Sequence, residues 1–123
     1  DISKTLSKAE VHEIRCAWLE YHVLAFPNQS LDKEQFERFS LYFGDFGDDS
    51  FFGHISGSDH IAAVVREADD TSPIFAEVWH TDWSFQKNPP AATFLYSLDI
   101  PSVGGDTFVC QSTPSTCGNA GST

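Results

Sequence analysis

The chain has 123 residues, of which 41% are hydrophobic and 20% charged, and it carries eleven Phe and three Trp. That is enough for one domain with a packed interior, and it is too aromatic for a disordered chain. The formal net charge of −11 disfavours partners that present phosphate, so neither nucleic acid nor an anionic membrane surface is expected.

Ser7-Lys8-Ala9-Glu10 reads as a capping box that opens a first helix. Val11, Ile14, Trp18 and Tyr21 or His22 follow at helical spacing as its apolar stripe. Val23 to Phe26 predicts a short buried strand, stopped by Pro27. Asp32 to Gln35 repeats the capping pattern, Phe36, Phe39 and Phe43 define a second amphipathic helix, and Gly44 ends it. Residues 44–60 read as loop, Ile61 to Arg66 as a strand, and Asp69 to Pro73 as a turn. From Ile74 the pattern becomes β-like, with strand candidates at Phe75 to Trp79, Ala92 to Ile100 and Thr107 to Cys110. Gln111 to Thr123 is Ser, Thr, Gly, Asn and Pro with almost nothing apolar, and it predicts a disordered tail.

Cysteine usage points to a reducing, cytoplasmic setting. Cys16, Cys110 and Cys117 are odd in number and irregular in spacing, which is no disulfide framework, and Cys16 reads as a small helix-packing residue. No apolar run approaches the roughly 20 residues of a membrane span. The sequence opens at Asp1 rather than Met, without a signal segment, which reads as a processed, trimmed or fragment terminus.

The sharpest chemical feature is Trp79-His80-Thr81-Asp82-Trp83. On an extended strand, side chains alternate faces, so His80 and Asp82 point the same way. An imidazole nitrogen beside a carboxylate oxygen supplies two adjacent ligands, two-thirds of the two-histidine, one-carboxylate triad that holds non-haem iron. Alone, His-x-Asp is a weak signal whose ordinary explanation is a hydrogen-bonded surface pair. A zinc module using His80, Asp82 and loop histidines fits no recognised zinc spacing.

Downstream of this motif lie Asn88-Pro89-Pro90-Ala91-Ala92-Thr93, a β pattern, and Pro101-Ser102-Val103-Gly104-Gly105-Asp106-Thr107. Together with the helix, the V-L-A-F segment and Tyr42-Phe43-Gly44 upstream, these motifs resemble the taurine dioxygenase (TauD/TfdA) family of iron(II)- and 2-oxoglutarate-dependent dioxygenases from about Leu6 to Cys110. The resemblance implies an α+β fold with a mostly β core: a double-stranded β-helix (jelly roll, clavaminate synthase-like), here incomplete, with N-terminal helices. Residues 1–110 would form its N-terminal part. It implies that His80 and Asp82 are iron ligands and that Thr107 hydrogen-bonds a carboxylate of 2-oxoglutarate. Gly104-Gly105 would let the backbone turn sharply beside the cosubstrate. His54 and His60 lie in a loop region that forms part of the substrate pocket in relatives. Trp79, Trp83 and Phe85 read as core rather than pocket lining. The implied reaction consumes dioxygen and 2-oxoglutarate, releases succinate and carbon dioxide, and hydroxylates a small organic acid, a sulfonate or similar.

The family's third iron ligand is a later histidine, and an arginine beyond it binds the far carboxylate of 2-oxoglutarate. No His follows His80 and no Arg follows Arg66 in this sequence. The family pattern also ends after Cys110, as a truncation or frameshift would leave it. The expectation is therefore a poorly active chain with open sheet edges that favour homo-oligomerisation or aggregation. The alternative is a truncated, catalytically inactive homologue that serves as an interaction fragment or has no function.

Overall fold

The computed structural model describes residues 1–47, 53–73, 76 and 78–110. The expected strand at 75–79 falls partly outside this range, and the expected tail at 111–123 falls wholly outside it. Two helices form, α1 (Lys8–Tyr21) and α2 (Lys33–Leu41). The chain divides into two compact units, one of Asp1–Ser30 with the residues from Tyr96 onward and one of Leu31–Leu95. No helix among the described residues is long and apolar enough to cross a membrane.

Both helices start where the capping pattern places them, because two amides at each N-terminus find side-chain acceptors. At α1, the Glu10 amide donates to Ser7 Oγ and the Ser7 amide donates to Glu10 Oε2 at 2.7 Å. At α2, the Gln35 amide donates to Asp32 Oδ1 at 2.7 Å and the Asp32 amide to Gln35 Oε1 at 2.9 Å. α1 stops at His22, which takes the left-handed conformation (φ 66) and returns its N–H to the Trp18 carbonyl. Val11, Ile14 and Trp18 are half-buried as the stripe requires, but Tyr21 is exposed. Cys16 departs from its expected packing role: it is exposed, with its sulfur 3.6 Å from His12 Nε2 one turn earlier.

In the first unit the N-terminal segment is tied down by Gln29. The Ile2 amide donates to Gln29 Oε1 at 3.0 Å, Gln29 Nε2 donates to the Pro27 carbonyl at 2.9 Å, and Tyr96 Oη donates to the Gln29 carbonyl. Ile2 is the buried hydrophobic residue of this unit among those described. Gly104 and Gly105 both adopt left-handed φ, 79 and 78. A Cβ on Gly105 would also meet Pro101 Cγ at 3.0 Å, so this tight turn needs glycine.

The second unit is organised around Phe39, which is 3% exposed. Its ring meets Phe43 edge-on at 5.3 Å and Phe94 at 5.9 Å, and Phe43 and Phe94 are 5.7 Å apart. Phe39 on α2 and Phe43 just beyond it thus capture a ring from a segment more than 50 positions later. The same helix pins the following loop: Lys33 Nζ donates to the Ser56 carbonyl and Ser58 Oγ donates to Glu37 Oε1. Ser58 Oγ in turn accepts from the His60 and Ile61 amides, both at 3.0 Å. The expected turn near Asp69 is closed by Arg66, which donates to the Asp70 and Ser72 carbonyls. The Ser72 hydrogen bonds hold the Asp70 carboxyl below its ordinary range.

The β expectations fare differently. The described residues contain no strand ladder, only an isolated antiparallel bridge between His54 and Ala62. Val23 to Phe26 is not a buried strand: Val23 is 53% exposed and Phe26 37%. Segments 92–100 and 107–110 also lack ladder partners, and 61–66 has only the Ala62 bridge. A strand is completed by a neighbour about 4.8 Å away, and the described residues align none beyond the single His54–Ala62 bridge. Residues 92–96 still alternate half-buried and exposed side chains, the period of a strand without its ladder. Many apolar residues consequently face solvent, among them Leu98, Val103 and Phe108.

Two outcomes test this architecture. Glu10 is held below the ordinary value of 4.5, chiefly by its backbone and side-chain hydrogen bonds with Ser7. A lowered carboxyl stabilises the fold fully above the ordinary value and loses that contribution as pH falls through the lowered one. Helicity of α1, followed by amide exchange of residues 8–12, should therefore weaken in acid, and Ser7→Ala should remove most of that dependence. Phe39→Ala should destabilise the second unit by about 3 kcal/mol, as loss of a buried ring does, and chemical denaturation would read this directly.

Candidate metal centre

His80 and Asp82 lie in the second unit, immediately before and within a turn spanning Asp82 to Phe85. The Gln86 amide donates to the Trp83 carbonyl at 2.9 Å, and Trp83 takes a left-handed φ of 55, a conformation that costs a bulky residue roughly 1–3 kcal/mol. The segment is not paired in a sheet, yet His80 and Asp82 converge: Nε2 is 3.0 Å from Asp82 Oδ1. The i, i+2 spacing is sufficient to place both side chains on one side of an extended stretch.

Each member of the pair is held from behind. His80 Nδ1 lies 2.8 Å from the Val78 carbonyl, and Thr93 Oγ1 donates to Asp82 Oδ2 at 2.7 Å. The carbonyl can only accept, so that contact requires the proton on Nδ1. Nε2 then meets the Asp82 carboxylate either with a second proton of its own or with a cation between them. A neutral ring cannot donate to both partners at once. The Val78 hydrogen bond is the main cause that raises the His80 pKa, desolvation opposes it, and the hydrogen bond and charge of Asp82 add to the rise. The pair is open to solvent, with side chains 46% and 45% exposed, and adds little to stability as an ion pair.

The donor geometry fits a metal. Two ligands each about 2.1 Å from one ion and at right angles stand about 3.0 Å apart, which is the separation observed between Nε2 and Oδ1. The backing of the imidazole by a carbonyl and of the carboxylate by a hydroxyl is the usual outer support of metal ligands. Among the described residues, no cluster of three or more His, Cys, Asp or Glu is assembled, so the pair has no third protein ligand there.

Beside the pair, a cleft of about 450 Å³ opens within the second unit. Thr93 and Trp83 line it together with Phe36, Phe46, His54 and His60. His60 stacks on Phe46, rings 4.0 Å apart and 14° from parallel. Trp83 is half-buried on this wall, whereas Trp79 and Phe85 are 71% and 70% exposed, so these aromatics are not the core residues expected of them. Thr107, the expected 2-oxoglutarate contact, belongs to the first unit and is exposed. Sequence reasoning passed over Thr93, because its partner is 11 positions away and no local pattern links a threonine to a carboxylate at that distance.

Comparison with known proteins identifies the family. The family model for the taurine catabolism dioxygenase TauD, TfdA family matches residues 1–113. The chain belongs to that family. It is 30% identical over 113 residues to a putative alpha-ketoglutarate-dependent sulfonate dioxygenase of Schizosaccharomyces pombe, a match covering 84% of this chain and 28% of the relative. It is 34% identical over 108 residues to an alkylsulfatase of Acinetobacter baylyi, covering 86% and 32%. It is 31% identical over 121 residues to an alpha-ketoglutarate-dependent 2,4-dichlorophenoxyacetate dioxygenase of a Burkholderia species, covering 86% and 41%. The chain thus matches between 28% and 41% of the length of these curated relatives. No solved structure matches significantly.

One titration tests the geometry of the pair. In the metal-free chain His80 should titrate above the ordinary 6.5. A raised histidine contributes fully below the ordinary value and loses that contribution as pH rises through the raised one. Both ring contacts should therefore be present at mildly acid pH and one of them released on deprotonation, as read by nitrogen-15 shifts of the ring. Titration at or below the ordinary value would contradict the contacts described.

Proposed function

We propose that this chain carries the first two ligands of the iron(II) site of a 2-oxoglutarate-dependent dioxygenase, an oxidoreductase that hydroxylates a small organic acid, a sulfonate or similar, with formation of succinate and carbon dioxide. The observation that carries the proposal is the 3.0 Å approach of His80 Nε2 to Asp82 Oδ1 in a chain of this family. The names of the relatives support the cosubstrate and the acid class.

In this reading His80 binds iron through Nε2 while Nδ1–H remains on the Val78 carbonyl, which keeps the ring in the binding tautomer. Asp82 binds through Oδ1, and its other oxygen stays on Thr93. Iron, when bound, supplies the activation of dioxygen that the protein's own groups cannot perform. Thr107 hydrogen-bonds a carboxylate oxygen of 2-oxoglutarate, after a Gly104-Gly105 turn that brings backbone close to the cosubstrate. The cleft beside Trp83 and Thr93 receives the acid, its apolar wall excluding water and its histidines offering donors to an anion. The fold of the complete enzyme is the family's jelly roll, and the segments at 92–100 and 107–110 are its strands once paired. Dioxygen and the small acid are the partners, neither nucleic acid nor membrane is one, and exposed apolar edges favour self-association. Ferrous iron and exposed thiols at Cys16 and Cys110 both suit a reducing, cytoplasmic setting.

The test is an anaerobic titration of the chain with iron(II) and then 2-oxoglutarate. One iron should bind weakly per chain, and His80→Ala and Asp82→Ala should each abolish that binding. Iron binding that survives both substitutions would overturn the assignment. Succinate formation by these 123 residues alone should be slow, since two protein ligands hold iron less firmly than three and no arginine after Arg66 is present to clamp the cosubstrate.

A further inference from the structure

The His80–Asp82 pair poses a physical problem. It is nearly half exposed on both sides, and exposed pairs of this kind gain little while losing side-chain freedom. An aspartate with one oxygen on a histidine and the other in water would exchange between χ1 rotamers. A ligand set so loosely held would have to be ordered again each time a metal bound. The histidine avoids this through the Val78 carbonyl two residues away. Among the described residues the aspartate has no such backbone partner close in sequence.

We propose that Thr93 is the positioning residue for Asp82: its hydroxyl, donating to Oδ2 at 2.7 Å, holds the aspartate side chain in the single χ1 rotamer that keeps the carboxylate against His80 Nε2. Three observations carry this. The contact spans 11 positions, so it is made by tertiary structure and not by a local turn. Threonine is β-branched and stiff at χ1, so its hydroxyl is a fixed point rather than a floppy one. The next residue is anchored: Phe94 packs against Phe39 and Phe43, with ring centres 5.9 and 5.7 Å away. The half-buried Ala92 and Phe94 flank the exposed Thr93, which turns its side chain away from that aromatic cluster. A mechanical path therefore runs from the core of the second unit to the carboxylate. Thr93 also lines the cleft beside the pair, so the same residue aligns the ligand with the cavity. Serine can replace this donor, whereas valine keeps the shape and removes the hydrogen bond.

This inference rests on the metal-site reading, and its test separates the two. The 123-residue chain and its Thr93→Val and Thr93→Ser variants are compared in two measurements. The first needs no metal: three-bond couplings to Asp82 Cγ report its χ1. A single rotamer is expected in the parent chain and in Thr93→Ser, with averaging in Thr93→Val. The second is titration with cobalt(II), followed by visible absorption. Affinity should fall about 10- to 100-fold in Thr93→Val, the usual loss when outer support of a metal ligand is removed, and return to near the parental value in Thr93→Ser. A single Asp82 rotamer in Thr93→Val overturns the positioning role, as does unchanged cobalt affinity in that variant. If the parent chain binds no cobalt, the metal reading fails by itself, and the rotamer measurement still decides whether Thr93 sets the carboxylate.

Discussion

The burial of one ring, Phe39, underlies the second unit. It is the one described hydrophobic residue of that unit with almost no exposure, and it binds three parts of the chain together. It joins α2 to the residues just after the helix through Phe43 and to the segment at 92–94 through Phe94. α2 then fixes the loop at 54–62 through Lys33 and Glu37, while the 92–94 segment carries Thr93 to Asp82. Apolar contact, which has no directional demand, does the gathering, and hydrogen bonds then set the angles at its edge.

Electrostatics at the pair follow from a single acceptor. Because the Val78 carbonyl needs a proton on His80 Nδ1, the other ring nitrogen confronts a carboxylate and calls for positive charge between them. A second proton satisfies this in acid. A divalent cation satisfies it at neutral pH, where imidazole is the ordinary ligand form. The same geometry therefore accounts for the raised histidine pKa and for the suitability of the pair as metal ligands. His-x-Asp in a surface turn without the Val78 and Thr93 contacts would place no constraint on either side chain.

The family assignment and the described structure address different things. The family match extends over residues 1–113, whereas the relatives are matched over 28% to 41% of their length. Sheet ladders are cooperative across the whole set of strands: each segment becomes a strand only where another offers its backbone. Within these residues the period-two burial at 92–96 persists without ladder bonds, and apolar side chains such as Leu95, Leu98 and Val109 are left facing solvent.

The sequence by itself determined the features whose partners lie within a turn or two of chain. Ser7 and Glu10 cap α1, Asp32 and Gln35 cap α2, Gly104 and Gly105 turn left-handed, and His80 and Asp82 share a side, because residue type and spacing suffice for each. The ordered motifs around them also sufficed to identify the family. Tertiary structure decided everything whose partner is distant and chemically unspecified. Nothing local marks Thr93 as the partner of Asp82, Phe46 as the platform for His60, or Phe94 as the ring that closes over Phe39. Among the described residues it also left the segments at 92–100 and 107–110 without ladders, and left Cys16, Trp79 and Phe85 exposed. A hydrogen bond to a neighbour in sequence is set by backbone geometry, whereas pairing and burial need a surface that only the folded chain provides.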